Sequence, residues 1–287
     1  MSYGPNPWQQ ASWDWRAAGN FICGGAGSGL IAATAFSGVQ GLAAIWLMLI
    51  GMALIGCGLL CVWLEIGRPM RALNVFINPR TSWMSREALV APVLFGLGLA
   101  SAFGMRSMAP LAGLAALAFA YCQGRILQAA RGIPAWRSTR TTPLIVACAL
   151  AEGFGLFWLL AGWSAGSMTM LVLFAVLVIA RALLWRAWRQ DIAASAAPRA
   201  LAALDPPGQH LLWIGSALPL GLVLVAATGL AGATIGAALL ALAGLLVAAT
   251  GAQFKFALIT RGAFNQGFSL TRLPVRGVPR ATGNRPT

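Results

Sequence analysis

Eight long apolar runs constrain the fold of this chain more than any other feature. Each is close to the 20 residues that a helix needs to cross a bilayer. The runs are continuous rather than alternating, which favours helices over strands. With hydrophobic residues at 59% and charged residues at 9%, the chain is too apolar for a soluble domain. We therefore predict an all-α integral membrane protein with spans at roughly 17–36, 41–64, 88–104, 108–127, 143–163, 168–186, 212–232 and 234–259.

The placement of basic residues predicts the orientation of these spans. Eight spans put 19 of the 20 lysines and arginines at one membrane face and leave only Arg106 at the other. The positive-inside rule makes the basic face cytoplasmic, with both termini on that side. The net charge of +14 is then a topology signal and not a mark of nucleic-acid binding, and it suits anionic lipid or an acidic partner surface. The predicted domains are a cytoplasmic interfacial N-terminus (1–16), a transmembrane domain (17–259) and an extended cytoplasmic tail (260–287).

The loop between the second and third runs is the most informative segment. It reads LEIGRPMRALNVFINPRTSWMSREA over residues 64–88 and contains two acids and four arginines. Pro69 ends the preceding helix near Glu65, because proline lacks an amide donor and disfavours a helical residue before it. We expect Ser85 to cap the next helix, with Glu87 in its first turn. Both carboxylates are therefore predicted at the same membrane face.

This segment resembles the NrfD-like integral membrane anchors of molybdenum oxidoreductases, a family that includes the polysulfide and dimethyl sulfoxide reductase anchors. The family has a G-x-P-x-R-x-x-N element after a titratable residue, which here runs from Gly67 to Asn74 after Glu65. Members of the dimethyl sulfoxide reductase type have histidine where Glu65 stands. The first and last segments, GPNPWQQASWDWRAAGNF and TRGAFNQGFSLTRLPVRG, resemble the membrane subunits of phenylacetyl-CoA:acceptor oxidoreductases.

The resemblance implies a fold of two four-helix bundles in the bacterial inner membrane. It also implies a function, the exchange of electrons between membrane quinone (ubiquinone or menaquinone) and a neighbouring subunit. The implied partners are a ferredoxin-like iron–sulfur subunit and a molybdopterin catalytic subunit, and the implied reaction is phenylacetyl-CoA oxidation. Substrate catalysis would lie in the molybdopterin subunit. Anchors of sulfite, polysulfide or tetrathionate enzymes remain alternatives.

The residues that we predict for the quinone pocket come mostly from the same loop. Glu65 and Glu87 are the predicted proton-exchanging groups, because a carboxylate at a helix end in a partly buried site can take and give protons near neutral pH. The pocket would be completed by Asn20, Arg68, Arg71, Asn74 and Trp83. Structural roles remain open for several of these residues. They include an ion pair of Glu65 with Arg68 or Arg71, a simple helix-start role for Glu87, an interhelical hydrogen bond for Asn20 and an interfacial position for Trp83.

Other polar features bear on the chemistry. Glu152, near the middle of the fifth span, belongs either to a proton path or to a protonated, hydrogen-bonded structural site. No C-x-x-C pair exists and His210 is the only histidine, so we predict neither an iron–sulfur cluster, a bis-histidine haem nor a metal site within this chain. The glycines at 24–29 fit close helix packing better than nucleotide binding.

Two further function classes stay open at this point. A secondary transporter with eight spans would place polar sites at the membrane midplane in related halves. A scaffold that only tethers a soluble enzyme would use three predicted cytoplasmic loops, roughly 65–87, 128–142 and 187–211, as a platform. Within the last of these loops, Asp205-Pro206-Pro207-Gly208 is predicted to form a rigid turn.

Overall fold

Helices account for nearly all of the chain that the structure describes. The computed structural model describes residues 6–65, 69–162, 167–230 and 232–267. The α-helices are α1 (Trp15–Gly19), α2 (Gly25–Ser37), α3 (Gly41–Glu65), α4 (Trp83–Ala102), α5 (Ala109–Ala129), α6 (Thr141–Ala161), α7 (Met168–Ile192), α8 (Pro198–Leu212), α9 (Leu218–Ala227) and α10 (Gly232–Thr260). A π-helical turn, Asn20–Gly24, joins α1 to α2, and a second, Trp213–Ala217, joins α8 to α9. In the described connections, 3₁₀ helices lie at Pro69–Phe76, Arg106–Met108 and Pro134–Trp136.

Seven helical segments in the described ranges are long and apolar enough to cross a membrane. They are Gly41–Glu65, Trp83–Ala102, Arg106–Ala129, Thr141–Ala161, Met168–Ile192, Pro198–Ala227 and Gly232–Thr260. This confirms an all-helical chain with multiple candidate spans. The first predicted span, 17–36, is helical from Trp15 to Ser37 across the π turn, but it is not among these seven. It is rich in glycine, and every residue from Gly25 to Thr34 is buried by its neighbours.

Helix α4 begins earlier than we predicted. Ser82, not Ser85, is its N-cap residue, and the Ser82 hydroxyl accepts a hydrogen bond from the Ser85 amide at 3.3 Å. The N-cap prediction is therefore wrong, because the helix begins about one turn before the predicted position. As a consequence Glu87 lies one turn inside the helix, where neighbouring helices bury it.

The predicted loop at 187–211 is mostly helical. Helix α7 continues to Ile192 and α8 begins at Pro198, so the connection is only about five residues long. Asp205-Pro206-Pro207-Gly208 lies inside α8, and the turn prediction there is wrong. Gly208 fits because Trp185 packs where a Cβ would be, and Asp205 pairs with Arg189 of α7 at 2.6 Å. These contacts favour a helix that the local sequence disfavours.

Helix α2 packs centrally among the other helices. Helix α2 contacts α3, α5 and α6, while α6 also contacts α5, α7 and α10. A close approach joins α2 to α6, where a Cβ on Gly29 or Gly153 would collide with backbone atoms of the facing helix. This confirms close packing as the role of Gly29.

The N-terminal segment is tied to the end of α10. Gln9 and Phe264 form an antiparallel bridge, and the Trp8 amide donates to the Asn265 side chain at 2.9 Å. Trp13 packs edge-on against the buried Trp136, with ring centroids 4.7 Å apart. The N-terminus therefore folds against the basic end of the helices, next to the cavity described below.

Candidate functional site

Glu65 and Glu87, the two acids that we predicted to act together, line one cavity. The two-acid cavity has a volume of about 360 Å³ and opens where α1, α3 and α4 meet. Glu65 enters it from the last residue of α3 and Glu87 from the second turn of α4. Its lining residues are Ser12, Trp13, Ala17, Asn20, Phe21, Val62, Glu65, Met84, Glu87 and Ile126. An apolar cavity with a few convergent polar groups is the usual form of a small-molecule site.

Glu87 is the buried acid of this cavity, and amides surround it. Its side chain is 5% exposed, and its Oε1 accepts a hydrogen bond from Asn20 Nδ2 at 3.4 Å. The Gln123 amide also lies within hydrogen-bonding range of the Glu87 carboxyl. Gln123 is fully buried and donates to the Asn20 carbonyl at 3.0 Å. Asn20 Oδ1 is a buried acceptor that finds no hydrogen-bond partner in the described ranges, and Asn20 lines the cavity.

Glu65 has a different environment. It is half-buried and follows Leu64, whose carbonyl accepts a hydrogen bond from Arg16 Nη1 at 3.1 Å. Arg16 in turn pairs with Asp14 at 2.7 Å, and this pairing holds the pKa of the Asp14 carboxyl below its usual value. Within the described part of the chain no basic side chain forms an ion pair with Glu65. The proposed partners, Arg68 and the Arg71 side chain, lie outside what the structure describes.

Two other predicted pocket residues do not reach the cavity. Asn74 is exposed in the 3₁₀ helix Pro69–Phe76 and does not line it. Trp83 does not line it either and packs edge-on against Tyr121, with centroids 5.7 Å apart.

Trp83 instead lines a polar cavity of about 810 Å³, the basic cleft. Its lining includes Thr81, Trp83, Arg125, Gln128, Arg131 and Arg137. The guanidinium carbons of Arg86 and Arg125 lie over the Trp83 ring, 4.0 and 4.8 Å from its centroid. Trp83 is therefore held by cation–π contacts.

Glu152 forms a fully buried ion pair with Lys255. The Lys255 ammonium lies 2.6 Å from Glu152 Oε2, and both side chains are completely inaccessible. Lys255 also donates to the Phe21 carbonyl at 2.8 Å. A Cβ on Gly251, one turn before Lys255, would collide with the Glu152 carboxyl, so this glycine leaves room for the acid. Sequence reasoning gave Lys255 no role, because a lysine near a helix end can extend to water.

The first π turn connects this ion pair to the two-acid cavity. Its Asn20 and Phe21 carbonyls accept the side chains of Gln123 and Lys255, respectively. A Cβ on Gly25 would lie 2.6 Å from Lys255 Nζ and 3.4 Å from Gln123 Oε1, which places those two groups within about 6 Å of each other. Isolated π turns in α-helices often mark functional sites. A row of buried polar groups therefore runs from Glu87 through Gln123 to the ion pair.

Gln123 was also missed by the sequence analysis. It follows Phe119 by one turn on the face of α5 that also carries Ala112 and Ala116, all of them fully buried. That spacing was the signal, because a polar residue that continues a buried face must find partners inside the protein.

The second π turn also meets a buried cation. Arg181 in α7 is fully buried and donates to the Val247 carbonyl at 2.9 Å. It also contacts the Gly215 carbonyl and the Ser216 hydroxyl of the π turn Trp213–Ala217. Arg181 is one of the 19 basic residues that we predicted at the basic face. That prediction is wrong for Arg181, because its side chain is buried among the helices.

A further cavity lies at the opposite ends of the helices and lacks acids. Gln40 and Arg106 line it and are joined by a hydrogen bond of 3.1 Å. None of its described lining residues is a carboxylic acid. The two-acid cavity is therefore the stronger candidate for proton-coupled chemistry.

Comparison with protein families agrees with this architecture. The model of the DMSO reductase anchor subunit (DmsC) family matches residues 40–196, more than half of the chain. The chain belongs to this family. The match covers α3 to α7 and so includes Glu65, Glu87 and Glu152. No curated protein matches the sequence.

Proposed function

We propose that this protein is the membrane anchor and quinone-reactive subunit of a molybdenum or tungsten oxidoreductase complex. Membership in the DMSO reductase anchor family supports the anchor role. The observation that carries the quinone role is the convergence of Glu65, Glu87 and Asn20 on one largely apolar cavity. The partners would be a ferredoxin-like iron–sulfur subunit and a molybdopterin catalytic subunit.

The two-acid cavity fits a quinone in shape and chemistry. A quinone accepts two electrons and two protons when it is reduced, and it returns them when it is oxidised. Asn20 Nδ2 already binds Glu87, so Asn20 and Glu87 would act together at one oxygen. Glu65, which is nearer to solvent, would exchange the second proton with the cytoplasm. Phe21, Val62 and Ile126 would hold the ring and exclude water.

The proposed topology has eight spans in two four-helix bundles, with both termini cytoplasmic in a bacterial inner membrane. The continuous helix from Trp15 to Ser37 supplies the eighth span, and burial by its neighbours explains why it needs less hydropathy than the other seven. Helix α2 packs with α3 and α5, and α6 packs with α7 and α10. These two sets of contacts support the two four-helix bundles. The distribution of basic residues along the sequence supports the orientation, because, apart from the buried Arg181 and Lys255, all of them except Arg106 fall on one side.

We extend the proposal for Glu152 to a proton path that begins at Glu87. The groups along it are Glu87, Gln123, Lys255 and Glu152. Gln123 Oε1 is a buried acceptor without a hydrogen-bond partner among the described residues, and it lies next to Lys255 Nζ, with Gly25 beside both groups. The Gln123 amide can orient a hydrogen-bonded water on the path between Glu87 and Glu152.

The substrate of the complex would be chosen by the molybdopterin subunit. The resemblance of the first and last segments favours phenylacetyl-CoA oxidation. A sulfite, polysulfide or tetrathionate enzyme would need the same cavity, so these remain alternatives for the complex.

The test is to purify the tagged chain with its neighbours from native membranes and measure two activities. Turnover with a quinol or quinone analogue reports the cavity, and turnover with a soluble dye reports the catalytic subunit. We expect Glu87→Gln to lower quinone-coupled turnover by about 100-fold, a typical loss for a general acid–base group, without changing dye-coupled turnover. Glu65→Gln should have a smaller effect in the same direction, because Glu65 is half exposed.

The matched control is Asp191→Asn, which removes an acid that pairs with Arg140 far from the cavity. It should leave both activities unchanged. If Glu87→Gln retained full quinone-coupled turnover, the quinone role would be wrong. If no iron–sulfur or molybdenum subunit accompanied the chain, the anchor role itself would be wrong.

A further inference from the structure

No acidic residue stands among the described lining residues of the basic cleft. The chain has six acidic residues. Four of them form the ion pairs Asp14–Arg16, Asp191–Arg140, Asp205–Arg189 and Glu152–Lys255. The other two, Glu65 and Glu87, line the two-acid cavity. Arg125, Arg131 and Arg137 therefore gather at the cleft without a carboxylate of this chain among its described lining residues.

The arginines are only partly occupied by local hydrogen bonds. Arg125 Nη1 donates to Gln128 at 2.9 Å, but Arg125 Nε is buried with no hydrogen-bond acceptor in the part of the chain that the structure describes. Arg137 donates to the Arg131 carbonyl and to Gln266. The Arg131 side chain is exposed. Three guanidinium groups around one cavity of about 810 Å³ form a site for an anion with more than one negative charge.

The cleft continues the outward face of a candidate membrane span. Leu111, Leu114, Ala118 and Tyr121 are exposed along one face of α5, spaced three or four residues apart. We call these four residues the outward stripe. Arg125 follows Tyr121 at the same spacing, and Tyr121 contacts Trp83 in the wall of the cleft. Tyrosine and tryptophan at the end of an apolar stripe mark the depth at which hydrocarbon gives way to headgroups.

We propose that the basic cleft binds the headgroup of an anionic phospholipid whose acyl chains lie along the outward stripe. The three guanidinium groups favour a lipid with two phosphates over a lipid with one. A lipid fits better than a soluble polyanion because the apolar stripe leads directly into the cleft. The site is separate from the two-acid cavity, and the proposal does not depend on quinone binding.

Native mass spectrometry of the complex, purified in mild detergent, tests this. The added probes are diphosphatidylglycerol, phosphatidylglycerol and inorganic pyrophosphate. We expect the Arg125→Gln/Arg131→Gln double variant to bind diphosphatidylglycerol about tenfold more weakly than the wild type. Arg131→Gln alone should weaken binding in the same direction, and it leaves the Arg125–Gln128 hydrogen bond in place. Arg199→Gln, which removes an exposed arginine of α8 outside the cleft, should change binding by less than about twofold.

Three outcomes would overturn the proposal. In the first, the double variant binds diphosphatidylglycerol as tightly as Arg199→Gln does. In the second, pyrophosphate binds as tightly as the lipid, which would assign the cleft to a soluble anion. In the third, the double variant keeps its lipid but loses the soluble subunits, which would assign the cleft to an acidic segment of a partner protein.

Discussion

The Lys255 ammonium lies 2.6 Å from the Glu152 carboxylate, and neither side chain is accessible to solvent. An isolated charge buried at this depth has a large desolvation cost, so each group needs the other. The pair also joins two parts of the fold, because Lys255 donates to the Phe21 carbonyl in the first π turn. Stability and the shape of the candidate quinone site are thus linked through one lysine.

Lys255→Met should destabilise the protein strongly. The change leaves Glu152 buried without its cation, which typically costs about 3–5 kcal/mol. The double variant Lys255→Met/Glu152→Leu should recover most of this loss, because it removes the unpaired charge as well. Thermal unfolding in detergent measures both effects. The comparison pair is Arg189–Asp205, which is partly exposed and should contribute at most about 1 kcal/mol. Equal losses for Lys255→Met and Arg189→Met would contradict this prediction.

Gln123→Leu should impair quinone-coupled turnover while leaving dye-coupled turnover unchanged. Gln123 is a positioning residue, because it binds the Asn20 carbonyl and approaches the Glu87 carboxyl. We expect a loss of about tenfold, less than for removal of Glu87 itself, together with an altered pH profile of quinone-coupled turnover. A purely structural role would lower both activities and leave the shape of the pH profile unchanged. Gln190→Leu, at an exposed position of α7, is the control.

The location of a side chain could be predicted from the sequence where its position along a helix determines that location, and not where tertiary contacts determine it. Glu65 and Glu87 were predicted to meet because one closes a helix and the other opens the next, and they do line one cavity. Trp83 does not line this cavity, because its ring packs against Tyr121 and against the guanidinium groups of Arg86 and Arg125. Sequence reasoning assigned no role to Lys255. Its burial depends on space left by Gly25 and Gly251, and such tertiary contacts cannot be read from local sequence.

The N-terminal contact beside Glu65 should weaken only at low pH. Asp14 caps α1 and pairs with Arg16, so the pKa of Asp14 is lower in the folded protein than its ordinary value of 3.8. A lowered carboxyl pKa contributes stability that is fully present above that ordinary value, and the contribution is lost as pH falls through the lower folded value. The difference in melting temperature between wild type and Asp14→Asn should therefore be constant from about pH 5 to 7 and shrink as the pH falls below 3.8. A difference that grew on acidification would contradict this assignment.

Gly153→Ala should separate α2 from α6 and destabilise the whole helical assembly. The added methyl would fall on the backbone of Gly29 and Leu30, which cannot move aside as a flexible side chain can. Overpacking of this kind typically costs about 1–3 kcal/mol, and here it would act at the closest approach of the two helices. Gly96→Ala is a matched control, since Gly96 lies in α4 with open space around its Cβ position. Replacing a helical glycine there should be neutral or stabilise the protein by up to about 1 kcal/mol. Thermal unfolding of both variants in the same detergent separates the two effects, and equal melting temperatures would show that the contact between α2 and α6 is looser than its geometry indicates.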